Sequence, residues 1–188
     1  MNMKIKITDF LKQYKNHTVK IDDIVINGRV SLIVGQNGSG KSTLLKAIGG
    51  IIKYSGNIEC DHRVCYMDEF FSFPSDIELF TFLKLLNSTS VSPKKEEYIL
   101  QLLDYFNLTD KQAEDLKSLS KGMKAKVNII QCLLEGTDIY LLDEPLSGLD
   151  KEGIELFKNY ITKSKNNFVI STHLDDELRG LSDEVIYL

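Results

Sequence analysis

The run Gly35-Gln36-Asn37-Gly38-Ser39-Gly40-Lys41-Ser42-Thr43 sets glycines, a lysine and hydroxyls at the spacing G-x-x-x-x-G-K-[ST]. Residues of these types bind phosphate: backbone N–H groups of such a loop wrap the anion, Lys41 adds a point charge, and the Ser42 hydroxyl can ligate Mg²⁺. Gly35, Gly38 and Gly40 permit positive φ and close approach of backbone to ligand, and a helix opening at the loop adds about half a positive charge facing the anion. The chain is therefore expected to bind a nucleoside triphosphate. A second constellation is Asp143-Glu144, which follows the apolar run Ile139-Tyr140-Leu141-Leu142. Acids at the carboxyl end of a buried strand stand where ligands sit in open α/β sheets. In phosphoryl transfer the first acid holds Mg²⁺, usually through water, and its neighbour orients or deprotonates the attacking water; Asp143 is assigned to the metal and Glu144 to the water.

These residues need elements to hold them. Val30 to Val34 reads as the strand before the phosphate loop, and Leu44-Leu45-Lys46-Ala47-Ile48 as the helix after it. Upstream, Met3 to Ile7 and Val19 to Ile26 alternate like strands, with a loop around Tyr14 between them. Tyr54 to Asn57 has turn chemistry, followed by short strands at Ile58 to Cys60 and Arg63 to Met67. From Pro74 to about Cys132 the apolar spacing is helical, with Thr109 as an N-cap and Asp110 in the first turn after it. The α/β alternation then resumes: the Ile139 strand, a helix over Lys151 to Lys163, a strand over Phe168 to Ser171, a short helix near Asp175 to Leu181, and a strand over Val185 to Leu188. Continuous apolar strands separated by helices imply a mostly parallel sheet covered on both faces.

The chain has 188 residues, room for one domain with a small inserted subdomain. A formal net charge of −4 gives no reason to expect nucleic acid as a partner. No apolar run approaches the ~20 residues that span a bilayer, and the start of the chain lacks a signal peptide's apolar core. A cytoplasmic subunit is expected. Cys60, Cys65 and Cys132 have neither C-x-x-C spacing nor an even count, so no disulfide framework or zinc site is suggested.

Three further motifs make a resemblance specific. Leu119-Ser120-Lys121-Gly122-Met123 is similar to the LSGGQ signature, Ser147-Gly148-Leu149-Asp150 to the D-loop, and Ser171-Thr172-His173 to the switch-histidine segment of ATP-binding-cassette (ABC) ATPases. With the phosphate loop and the acidic pair they stand in that family's order, so the chain resembles an ABC ATPase over nearly its whole length. The resemblance implies an α/β P-loop NTPase fold with an N-terminal antiparallel β part. It implies a RecA-like core at about 1–70 and 136–188 and an inserted helical subdomain at about 71–135. Gly35 to Thr43 would hold ATP with Mg²⁺, and Ser120 and Gly122 would clasp the γ-phosphate of nucleotide on a second ABC ATPase chain. His173 would reach the γ-phosphate or the attacking water, and Tyr14, with Phe10 behind it, would stack on adenine. His17 and His62 read as surface histidines.

The chain departs from the family at the end of the Val64 strand, where Asp68-Glu69 replaces a glutamine. Glu69 aligns to that glutamine and could reach a metal-bound water, whereas near the γ-phosphate it would be repelled by ~4 kcal/mol at 4 Å in an intermediate dielectric. The function implied is an ATP-hydrolysing subunit that dimerises on ATP-Mg²⁺ and powers a separate integral membrane permease, in the manner of small exporters. The rival reading is an ABC ATPase without a membrane partner, such as the Fe–S assembly type. A GTPase or small-molecule kinase would share the loop, but the chain has no N-K-x-D motif and no reason to carry Ser147 to Asp150.

Overall fold

A computed structural model describes residues 4–173 and 177–188, and within it the chain divides into two units. The first comprises residues 1–68, 138–145 and 164–188, and among the described residues it carries every strand. Its antiparallel sheet has β1 (Ile5–Gln13), β2 (Thr18–Ile21), β3 (Ile24–Ile26) and β5 (Ser55–Cys60), with β1 paired to the other three. Its second sheet contains β4 (Val30–Val34), β6 (Val64–Met67), β7 (Ile139–Asp143), β8 (Asn167–Thr172) and β9 (Glu184–Tyr187). These run parallel in the order β6-β7-β8-β4-β9. Every residue of β4 and β7 is buried, as expected for strands without a solvent face.

The helix after β4 is α1 (Lys41–Ile48). Leu44, Leu45, Ala47 and Ile48 of α1 join Ile33, Leu141 and Val169 of the parallel sheet and Ile5, Ile7 and Phe10 of β1 in one core. Each fully buried Leu or Ile there contributes about 1.5–3 kcal/mol, which anchors the helix that carries the lysine and hydroxyls.

Three local expectations are corrected in this unit. β1 runs on to Gln13 instead of ending at Ile7, because it closes a hairpin with β2 through a turn in which Tyr14 N–H donates to the His17 carbonyl (2.8 Å). The expected strand over Val19 to Ile26 breaks at Asp22-Asp23, where the Asp23 carboxylate accepts from Asp9 N–H (3.0 Å). Ser55 to Asn57, expected as a turn, open β5 because β1 supplies a pairing edge. The β1–β5 register slips between Thr8 and Leu11, with Asp9 at φ 50°. Gly56 faces this bulge at φ 98°, and a Cβ there would lie 2.3 Å from the Asp9 carbonyl oxygen, so only glycine fits.

The second unit comprises residues 69–137 and 146–163 and is helical: α2 (Leu79–Thr89), α3 (Glu96–Tyr105), α4 (Lys121–Leu134) and α5 (Lys151–Lys163). Thr109 opens a 3₁₀ turn over Thr109–Lys111 instead of capping an α-helix; Leu108 before it is fully buried and pins the chain. An aromatic cluster of Tyr105, Phe106 and Tyr160 joins α3 to α5, and Tyr105 donates to the Leu156 carbonyl (3.1 Å). In the first unit, the expected short helix near Leu181 is a 3₁₀ turn at Arg179–Leu181, and Asp175 lies outside the described residues, as does Met3.

Candidate functional site

Because β4, β7 and β8 are parallel, their carboxyl ends emerge at one edge of the sheet, and each carries part of the site. Val34 lies opposite Thr172, and Asp143 opposite Ser171. Gly35, Gln36, Asn37 and His173 accordingly line one open cleft with Val34.

The loop from Gly35 to Gly40 folds on itself. Ser39 N–H donates to the Gln36 carbonyl (3.1 Å), while Lys41, 6% exposed, donates to the carbonyls of Gly35 (2.8 Å) and Gln36 (3.3 Å). Gly38 and Gly40 adopt positive φ; Gly35 does not, and its hydrogen matters instead because a Cβ would stand 2.6 Å from Ser39 Oγ. Gly40 is the N-cap of α1 at φ 110° and offers no side chain to the first N–H groups of the helix. Ser39 Oγ is buried with no partner. Uncapped backbone donors, a nearby ammonium and an unpartnered hydroxyl together fit a polyphosphate.

Asp143 is 2% exposed and receives three hydroxyl groups: Ser42 Oγ (3.0 Å) and Ser171 Oγ (2.5 Å) donate to Oδ1, and Tyr66 donates to Oδ2 (2.9 Å). A single carboxylate joined to a loop serine suits Mg²⁺, which holds few protein ligands and keeps several waters. Among the described residues no group of three His, Cys, Asp or Glu side chains could hold a metal.

Glu144 has a left-handed backbone at φ 47°, fixed by its N–H, which donates to the Ser171 carbonyl (3.2 Å) and to Ser171 Oγ (3.1 Å). The side chain is turned between two cations or potential cations: Oε2 lies 2.8 Å from His173 Nδ1 and Oε1 3.6 Å from Lys41 Nζ. A non-glycine residue in this conformation stores about 1–3 kcal/mol, a recurrent feature of functional positions.

Tyr14 places its hydroxyl 3.1 Å from Thr43 Oγ1, and its ring stacks on His17 with centroids 4.7 Å apart. His17 is thus part of the same aromatic pair. Phe10 is fully buried and stacks on Tyr54, so it belongs to the core. Ser120 is the N-cap of α4, accepting from Met123 N–H (3.2 Å), and Gly122 faces the Gly148 carbonyl, where a Cβ would stand 3.5 Å away. Both lie in the helical unit, as does Glu69; the neighbouring Asp68 pairs with Lys46 (3.1 Å).

Sequence reasoning missed Tyr66 as a partner of Asp143, and it read Ser171 only as part of a motif. The signal for Ser171 was a hydroxyl ending the otherwise apolar run Phe168 to Ile170; Tyr66 is recognisable only once β6 is known to lie beside β7.

Comparison with known proteins agrees with this arrangement. A family model described as ABC transporter matches residues 20–147. An uncharacterised ABC transporter ATP-binding protein of Methanocaldococcus jannaschii is 31% identical over all of this chain and 75% of its own length. The cytochrome c biogenesis ATP-binding export protein of Reclinomonas americana is 34% identical over 79% of this chain and 74% of its own. Among solved structures, a metal-chelate type ABC transporter in an inward-facing conformation superposes with a TM-score of 0.81 at 26% identity, covering this whole chain and 80% of that one. A phosphate loop, an acidic strand end and the family's sequence pattern thus converge, and the chain belongs to the ABC transporter family, among its ATPases.

Proposed function

We propose that this chain binds ATP with Mg²⁺ at the Gly35 to Thr43 loop and, paired with a second ABC ATPase chain, powers a separate integral membrane permease. The single observation carrying this reading is Glu144, its side chain 11% exposed, held at the carboxyl end of β7 between Lys41 and His173. The backbone amides of the loop, Lys41 and Thr43 would hold the phosphates, Ser42 and Asp143 the metal, and Tyr14 the base. Mg²⁺ supplies charge neutralisation on the phosphate oxygens. Glu144 takes a proton from the attacking water, and His173, joined to Glu144, steadies its orientation and donates toward the γ-phosphate. Glu69 would act on a metal-bound water in place of a neutral amide.

The division of labour we infer assigns about 1–70 and 136–188 to a nucleotide-binding core and about 71–135 to a helical subdomain that presents Ser120 and Gly122 to nucleotide on the partner chain. No helix among the described residues is long and apolar enough to cross a membrane, so membrane coupling would pass through the permease, with this chain at the inner face. Export is favoured by the likeness to a protein named as an export component.

The half-sites separate in one experiment. Lys41→Ala should weaken nucleotide binding to the monomer strongly, whereas Ser120→Ala should leave monomer binding intact and impair ATP-driven dimerisation, read by equilibrium titration and sedimentation. Equal loss of monomer affinity in both variants would place Ser120 in its own chain's site and refute the paired arrangement.

A further inference from the structure

Asp143 Oδ1 is shared by two serines, but Oδ2 is held from the opposite side by a phenol. Tyr66 sits on β6 in register with Leu141 of β7, and its hydroxyl donates to Oδ2 at 2.9 Å. The ring is itself fixed. Lys46 Nζ of α1 lies 5.7 Å from its centroid and pairs with Asp68 (3.1 Å), two residues beyond Tyr66. A Cβ on Gly49, at the end of α1, would stand 3.3 Å from Tyr66 Cβ, so the base of the tyrosine side chain lies close against that backbone. Tyr66 therefore joins β6, α1 and the buried carboxylate.

We infer that Tyr66 is a positioning residue for the metal: its hydroxyl fixes the rotation of the Asp143 carboxylate so that Oδ1 and Ser42 Oγ stay presented to Mg²⁺. This rests on the reading that Asp143 and Ser42 hold the metal. A carboxylate hydrogen-bonded at one oxygen only can turn about its Cβ–Cγ bond, whereas donors on both oxygens define its plane. Partners at this remove from a metal typically change affinity or activity about 10- to 100-fold when removed. The phosphates, held by loop amides and Lys41, do not depend on Tyr66.

The test uses Tyr66→Phe, which keeps the ring and deletes the hydroxyl, with the wild type and Asp143→Asn alongside. Two quantities are measured on the intact chain: affinity for a non-hydrolysable ATP analogue without metal, by fluorescence titration, and affinity of the analogue complex for Mn²⁺, by electron paramagnetic resonance. The expected result is metal-free nucleotide affinity within about twofold of wild type and Mn²⁺ binding weakened about tenfold in Tyr66→Phe. Mn²⁺ binding equal to wild type would overturn the inference. So would a parallel loss of metal-free nucleotide affinity, which marks a residue that only supports the fold. If Asp143→Asn binds Mn²⁺ like the wild type, the assignment of the metal to Asp143 fails, and the inference with it.

Discussion

Replacing Glu144 by Gln should make the protein bind nucleotide more tightly while nearly abolishing turnover. Glu144 Oε1 lies 3.6 Å from Lys41 Nζ, with both side chains almost fully buried. At that separation a unit-charge attraction is about 1 kcal/mol in water and about 5 kcal/mol at the effective dielectric of a protein site. A phosphate arriving at Lys41 competes with this carboxylate and is also repelled by it. Glutamine keeps the shape and can still meet His173, but it removes both penalties. Even the lower figure corresponds to about a fivefold gain in affinity for metal-free ATP. Catalysis moves the other way, because losing a general base typically costs 10²- to 10⁴-fold. Isothermal titration of ATP into wild type and Glu144→Gln gives the first quantity, and phosphate release gives the second. Unchanged or weaker ATP binding would refute the competition between carboxylate and phosphate. Turnover near wild type would remove Glu144 from its role as base.

Gly40→Ala should disrupt the loop outright: at φ 110° its Cβ would stand 2.5 Å from Val19 Cγ1, so a loss of about 1–3 kcal/mol from backbone strain alone should appear in chemical denaturation, together with lost ATP binding. Asp138→Asn probes the opposite end of the sheet, where Asp138 Oδ2 accepts from Arg63 N–H (3.0 Å); that bond, more than the Arg63 charge, holds the carboxyl below its ordinary range. A lowered folded-state value means stability that is present above the unfolded value, about 3.9, and is lost as pH falls through the folded one. Asp138→Asn should therefore be less stable than wild type at pH 7, by under about 1 kcal/mol at so exposed a site, with the two denaturation midpoints converging as pH falls below the folded value. A gap that persists at low pH would contradict the charge argument.

The chemistry-bearing motifs were legible in the sequence because each depends on contiguous residues: Gly35 to Thr43 in a turn, Asp143-Glu144 at a strand end, Ser120 at a helix start. The helix over Lys151 to Lys163 was legible for the same reason, since its period is local. What escaped was decided by partners distant in sequence. Ser55 and Gly56 read as turn residues until β1 offers them an edge, and Asp23 breaks a strand because it answers Asp9. Tyr66 looked like one more aromatic on a short strand. Its hydroxyl matters only through β6 and β7 standing side by side, a pairing of residues 64–67 with 139–142 that no local pattern records. Glu144's left-handed backbone was equally invisible, because the Ser171 bonds to its N–H come from a strand distant in sequence.

The strand that carries the phosphate loop has both of its neighbours far downstream: β4 pairs with β8 through Val30 and Phe168 and with β9 through Ser31 and Glu184. During synthesis, then, the loop emerges early on a strand with no parallel partner to lean on. Its two parallel partners exist only once residues 167–187 are made. Closing so long a span is an entropic hurdle, and parallel pairings of this kind form slowly. The consequence is a built-in order of events: a growing chain exposes its phosphate loop long before it can use it, and competence for nucleotide arrives together with β8 and β9. Nucleotide, binding only once β8 and β9 stand beside β4, would then act as a folding ligand, drawing those two strands into place by mass action.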